Sequence, residues 1–148
     1  MRMSSAAKPP ISSDCHNRAL RHAGRNLNQI YDEFLAPTGL RSTQFSLLAR
    51  VKALGPVAIN ALAAEMDLDR TTLGRNVLPL ERDGLIAIEP DETDKRSKLL
   101  QLTPLGLQRL AEGRVQWTRA QAGFEKAFGK ERAAMLRDLL REVSALKL

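Results

Sequence analysis

The sequence predicts a mainly α-helical chain with one small β-wing, and three observations carry that prediction. Apolar residues recur at helical spacing near both ends, two short amphipathic segments meet at Asp67-Leu68-Asp69, and a charged turn, Asp94-Lys95-Arg96-Ser97-Lys98, separates two short apolar runs. Helix, turn, second helix and two-stranded wing in that order define a winged helix-turn-helix lobe. The expected architecture is such a lobe over about residues 43–103, plus a terminal-helix dimerisation region over about 14–35 and 104–148, within a single domain of residues 14–148.

In the first helix Leu20, Ala23, Leu27, Ile30, Tyr31 and Phe34 share one stripe, the spacing of a helix packed on one side. The segment from Pro56 to Leu85 resolves into two short helices. Ile59, Leu62, Ala63 and Met66 form the apolar face of the earlier one, and Asp69 is a good N-cap for the later one, whose buried side is Leu73, Val77 and Leu80. Gly84 stops that helix as a left-handed cap. Its remaining face and N-terminal turn carry Arg70, Thr71, Thr72, Gly74, Arg75 and Asn76, groups suited to base edges and phosphates. An ordinary amphipathic helix with a polar exposed side is the alternative when the segment is taken alone. Pro79 costs roughly 3 kcal/mol inside a regular helix, so a kink is expected. Gly74 costs about 1 kcal/mol relative to alanine. A backbone lying against DNA is one reason to accept it, and loose packing against the neighbouring helix is another.

Leu85-Ile86-Ala87-Ile88 then reads as a strand, Pro90 to Asp94 as turn chemistry, and Ser97 to Leu102 as the return strand. Arg96 at the tip is long and permanently charged, which suits the negative potential of a narrow minor groove, and Lys95 and Lys98 flank it. A solvated hairpin without a partner is the competing reading. Thr103 caps and Pro104 opens a long helix through Leu107, Leu110, Val115 and Trp117. After a break at Gly129-Lys130, the last helix shows Met135 or Leu136, Leu139, Leu140, Val143 and Leu146, a stripe too apolar for a small winged lobe to bury alone. A second chain would cover it; an intrachain helical cap is the alternative.

Composition narrows the function. The 148 residues suffice for one domain with a core, and one Trp, one Tyr and four Phe supply no stacking platform for single strands or RNA. The net charge of +6 favours a polyanionic partner, yet it is unevenly spread. Residues 1–55 carry eight Lys/Arg against three Asp/Glu, residues 56–104 six against nine, and residues 105–148 nine against five. The winged lobe is therefore net acidic, and duplex binding there rests on locally placed cations: Arg70, Arg75, Lys95, Arg96 and Lys98. No stretch approaches about 18 consecutive apolar residues, so no membrane-spanning helix is expected. Residues 1–13, Met, Ser, Ala, Lys and Pro without an apolar run, read as a disordered arm rather than a targeting signal. A cytoplasmic protein is expected, in keeping with its single cysteine.

The residues quoted for the second helix and the wing carry a resemblance. Leu68-Asp69-Arg70-Thr71-Thr72-Leu73-Gly74-Arg75, Leu80-Glu81-Arg82-Asp83-Gly84-Leu85-Ile86 and the Asp94-x-Arg96 pattern running into Leu102-Thr103-Pro104-Leu105-Gly106 resemble the MarR family of transcriptional regulators. Tyr31-Asp32-Glu33 and the stretch from Gly39 to Leu48 are similar to the end of that family's first helix and the start of its second. The resemblance implies a homodimeric regulator of double-stranded DNA, reading a palindromic operator, commonly a repressor released by a small-molecule effector. It implies that the helix from Arg70 to Asp83 is the recognition helix, that Arg96 enters the minor groove, and that Asp94 holds Arg96 by a salt bridge. An effector pocket would lie where the first, second and fifth helices meet the winged lobe, with His22, Tyr31, Arg41, Phe45 and Trp117 as candidates.

Some members of that family sense peroxide through a cysteine in the first helix, which makes Cys15 a redox candidate. Arg18 one turn on would favour a thiolate, whereas Asp14 opposes it, and the paired tyrosines of such sensors are missing from a chain with one Tyr. Cys15, His16 and His22 do not make a four-ligand metal set, and no cofactor is implied. Two histidines, no glycine loop opening a helix after a strand, and carboxylates such as Asp32 and Glu33 that diverge on a helix give no catalytic constellation. The function classes are thus a DNA-binding regulator, a redox-sensing regulator through Cys15, and a helical dimerisation module that does not touch DNA.

Overall fold

The computed structural model describes residues 15–148, so the arm expected over residues 1–13 lies outside the described residues. Helix α1 spans His16–Leu35, with Cys15 in the extended N-cap position. A single 3₁₀ turn, Ala36–Thr38, ends on Gly39 at φ 74° and reverses the chain into α2, Ser42–Leu54. The Asp32 carboxylate on α1 accepts the Ser42 N–H at 2.6 Å, tying the two helices together at the start of α2. Phe45, Leu47, Leu48 and Val51 turn α2 inward.

A two-residue strand β1, Val57–Ala58, leads into α3, Ile59–Glu65. Asp67 adopts φ 52°, a left-handed conformation that a short polar side chain tolerates, and turns α3 into α4, Arg70–Arg82. The expected kink at Pro79 does not interrupt α4, which runs on through the proline. Only three residues follow Pro79 in the helix, so its missing N–H removes a single bond of a ladder that is already ending. The end is a Schellman motif: Gly84 at φ 73°, its N–H donating to the Glu81 carbonyl at 2.9 Å, and the Leu85 N–H donating to the Leu80 carbonyl at 2.9 Å.

Strands β2, Ile86–Pro90, and β3, Lys98–Leu102, form the wing in antiparallel register from Ile86 opposite Leu102 to Pro90 opposite Lys98. Strand β1 pairs with the other edge of β3, Val57 opposite Leu100, so β3 is central in the order β1-β3-β2. Sequence periodicity predicted two strands and missed the third. Helix α5, Pro104–Phe128, starts under Thr103, whose hydroxyl accepts the Gly106 N–H at 3.0 Å and donates to the Gly84 carbonyl at 2.6 Å. One side chain therefore fastens the end of α4 to the start of α5. Gly129, at φ 101°, breaks α5 from α6, Lys130–Ala145.

The core joins Leu35, Leu40 and Phe45 through Leu73, Val77, Leu80 and Leu100 to Leu110. The apolar residues of the terminal helices are unevenly covered. On α1, Leu20 and Ala23 are exposed, while Leu27, Ile30, Tyr31 and Phe34 are half-buried, because only the second half of α1 lies on α5. On α5, Leu107 and Val115 face solvent, and the inward positions are Gly106, Leu110, Gly113 and Ala120. On α6, Ala133 is buried, Leu136 and Leu140 are half-buried, and Met135, Leu139, Val143 and, just past the helix end, Leu146 stay between 51% and 66% exposed. No helix among the described residues is long and apolar enough to cross a membrane.

Candidate nucleic-acid interface

Asp69 fixes where α4 begins. Its backbone is extended, and its carboxylate accepts the Thr72 N–H at 2.8 Å and the Thr72 hydroxyl at 2.9 Å. These bonds favour the ionised form; the bond from the Thr72 backbone, foremost, holds the carboxyl below its ordinary pKa. Thr72 is thereby committed to the cap. With Leu73, Val77 and Leu80 buried, Thr71, Arg75, Leu78 and Arg82 make the outer ridge of α4. Leu78, 61% exposed, went unnoticed in the sequence because it adjoins Val77. A helical wheel centred on the buried trio places it outward, on the polar side of the helix.

The two flanks of that ridge face different grooves. On the wing side a groove of about 830 Å³ is lined by Arg70, Gly74, Leu78 and Glu81 of α4, Asn60 of α3, and Glu89, Asp94, Arg96 and Lys98 of the hairpin. Three cations, Arg70, Arg96 and Lys98, share it with three carboxylates, Glu81, Glu89 and Asp94. Lys95 lies at the exposed tip, outside the lining. On the opposite flank Arg75, Asn76 and Pro79 line a smaller groove of about 340 Å³ with Arg41, Thr43, Gln44 and Leu47 of α2. The face predicted as one surface is thus two, divided by the ridge. A side chain added at Gly74 would meet nothing within 4 Å, so no neighbour within the chain demands glycine there.

Hydrogen bonds within the wing turn shape its tip. The Asp91 N–H donates to the Ser97 carbonyl at 3.0 Å, and the Asp91 carboxylate accepts the Thr93 hydroxyl at 2.8 Å and the Thr93 N–H at 3.0 Å. Those bonds, the hydroxyl's foremost, lower the Asp91 pKa. Asp94 accepts the Arg96 backbone N–H at 3.1 Å while its carbonyl accepts the Ser97 N–H at 2.9 Å. The Asp94–Arg96 salt bridge implied by resemblance is therefore not formed. The carboxylate closes an Asx turn on the backbone two residues on, and the Arg96 guanidinium is left exposed.

The effector candidates separate. Phe45 and Trp117 stack with centroids 6.2 Å apart and line a cleft of about 470 Å³ with Met66, Arg50, Glu65 and Arg114. Arg50 and Glu65 approach to 3.5 Å across its rim. His22, Tyr31 and Arg41 do not line this cleft. His22 sits on the uncovered half of α1, Tyr31 is turned to α5 where its hydroxyl bonds Gln121, and Arg41 is the N-cap of α2. Burial, ahead of Glu125, raises the Tyr31 pKa. Cys15 is exposed, and among the described residues no group of three His, Cys, Asp or Glu is placed to hold a metal.

Fold and grooves together define a winged helix-turn-helix protein. The sequence profile of the MarR family matches residues 40–98. The transcriptional regulator MosR of M. tuberculosis, solved in complex with DNA, is 34% identical, the match covering 91% of this chain and 100% of that one with a TM-score of 0.76. The HTH-type transcriptional regulator YwoH of Bacillus subtilis is 32% identical over 91 residues, 59% of this chain and 66% of YwoH. A protein of Thauera aromatica described as a transcriptional regulatory protein for the hcr operon is 44% identical over 52 residues, 35% of this chain and 31% of that protein. The chain belongs to the MarR family of transcriptional regulators.

Proposed function

We propose that this chain is a sequence-specific, double-stranded-DNA-binding transcriptional regulator that works in the cytoplasm as a homodimer on a palindromic operator, and that it is a binding protein rather than a catalyst. The observation that carries the reading is the wing-side groove, where Arg70 and Gly74 of α4 meet Arg96 and Lys98 of the hairpin in a channel open to a ligand. Its polar ridge reads base edges in the major groove, and the exposed Arg96 reaches the adjoining minor groove. The uncovered stripe of α6 and the bare first half of α1 support assembly of two chains. The test is selection of duplexes from a random pool by the full chain, followed by fluorescence anisotropy of the enriched sequence. An enriched inverted repeat that Arg96→Ala no longer binds is expected; no enrichment overturns the reading.

Repression relieved by a small molecule is the regulatory mode we infer, and the Phe45–Trp117 cleft supports it. An aromatic floor with charged groups at the rim is the common make-up of a small-ligand site. It lies between α2 and α5 and reaches Met66 and Asp67, the turn that leads into α4. A ligand seated there would bias the position of the recognition helix. Trp117→Ala is expected to leave operator affinity intact while abolishing release by any compound that releases the parent chain.

A further inference from the structure

The wing-side groove balances its charges, three cations against three carboxylates, whereas the groove on the other flank of α4 holds Arg41 and Arg75 and no carboxylate. Thr43, Gln44 and Asn76 complete its polar lining. Asp32 near the end of α1 accepts the Ser42 N–H at 2.6 Å, and Gln44 accepts the Arg41 N–H at 3.0 Å. Neither arginine belongs to an ion pair among the described residues. An exposed cation held beside a recognition helix, without an internal partner, is arranged for an external anion.

Resting on the DNA-binding reading, we propose that the groove between the start of α2 and α4 is a second phosphate site, in which Arg41 grips the backbone of the strand on the side of the major groove away from the wing. A helix lying in that groove presents its two flanks to the two strands. The wing serves one strand and Arg41 the other, so that α4 is clamped from both sides rather than tethered from one. Arg41 thus brings a cation from the positive segment before residue 56 to the flank of a recognition helix that belongs to the acidic one. Arg41 is then a DNA residue and not part of an effector pocket.

A phosphate contact carries no base preference but does carry a salt signature, because each neutralised phosphate steepens the dependence of log affinity on log salt by about 0.9. Anisotropy is read on two fluorescein-labelled duplexes, a mixed-sequence one and the one enriched by selection, for the full chain and for Arg41→Gln. Because the dimer carries Arg41 twice, raising salt from about 50 to about 200 mM is expected to cost the variant about 12-fold less affinity than the parent, on both duplexes alike. Arg41→Lys keeps the charge and should restore the parental slope, with thermal melting unchanged in both variants. A parental slope in Arg41→Gln, or a loss confined to the enriched duplex, overturns the phosphate site while leaving the DNA reading intact. If the parent itself binds neither duplex, the DNA reading falls and the site falls with it.

Discussion

At the scale of single residues the interface separates side chains that build from side chains that reach out. Asp69, Asp91 and Asp94 spend their carboxylates on backbone N–H groups of the next few residues, and so set the start of α4 and the shape of the wing tip. The Arg96 side chain takes no part in that network; only its backbone N–H does. Arg96→Ala should therefore move stability by less than about 0.5 kcal/mol in a denaturant melt while strongly weakening duplex binding. Arg75, on the ridge, should behave differently from Lys98 on the wing. Arg75→Ala is expected to relax base preference by about 1–3 kcal/mol in a competition assay, and Lys98→Ala to weaken selected and random duplexes evenly. Equal losses on both duplexes for both variants would put the reading face elsewhere on α4. The Asp69 cap has a pH signature of defined sign. Its folded pKa lies below the ordinary 3.8, so its contribution to stability is complete above that value and is lost as pH falls through the lower, folded value. Asp69→Asn keeps an acceptor without a titrating proton. The melting-temperature gap between parent and variant should be constant above pH 3.8 and change sharply only below it.

At the scale of elements, what could be read in the sequence was what local chemistry decides. The caps at Asp69, Gly84 and Thr103-Pro104 stand as read, because each needs only its own neighbours. The same holds for the buried trio Leu73, Val77 and Leu80, and for the hairpin, apart from an end shift of one or two residues. Strand β1 could not be read, since Val57-Ala58 is a strand only because β3 offers it an edge. Nor could the flank of α4 that faces α2, which exists only once the two helices have packed. The inward face of α5 was not legible either, because large apolar residues ordinarily mark burial. Close approach reverses that rule here. A Cβ at Gly106 would lie 2.0 Å from the Leu85 carbonyl oxygen, and one at Gly113 would lie 2.9 Å from the Phe45 ring. Glycine at both lets α5 lie against the lobe it carries. Gly106→Ala gains about 1 kcal/mol of helix propensity but must displace a backbone carbonyl that accepts the Thr103 N–H. A net loss toward the upper end of about 1–3 kcal/mol is expected in urea denaturation. A neutral result would mean that α5 and β2 separate more easily than this packing implies.

At the scale of the whole molecule, charge and apolar surface are sorted in opposite directions. The segment of residues 56–104, which carries α4 and the wing, is net acidic, and the positive excess, Arg41 included, lies on the segments before and after it. Affinity for a duplex must then come from a few placed cations, used twice. A two-fold dimer does this by setting two α4 helices one helical turn of DNA apart, so that two weak half-site contacts multiply. The surface available for such pairing is Met135, Leu139 and Val143, spaced by four along one face of α6, with Leu146 just past its end, all uncovered in the single chain. Fully burying a side chain of this size is worth about 1.5–3 kcal/mol, so covering four on each chain supplies a gain on the scale of the roughly 4–15 kcal/mol that association costs. Leu139→Asp with Val143→Asp should break the pairing without unfolding the chain, because both residues are more than half exposed before any partner arrives. Far-UV circular dichroism should stay as in the parent, and sedimentation velocity should shift from dimer to monomer. Binding to a duplex carrying both half-sites should fall to that of a single half-site. A parent chain that sediments as a monomer at micromolar concentration and still binds the two-half-site duplex tightly would contradict this arrangement, and with it the argument that an acidic lobe needs a second copy to hold DNA.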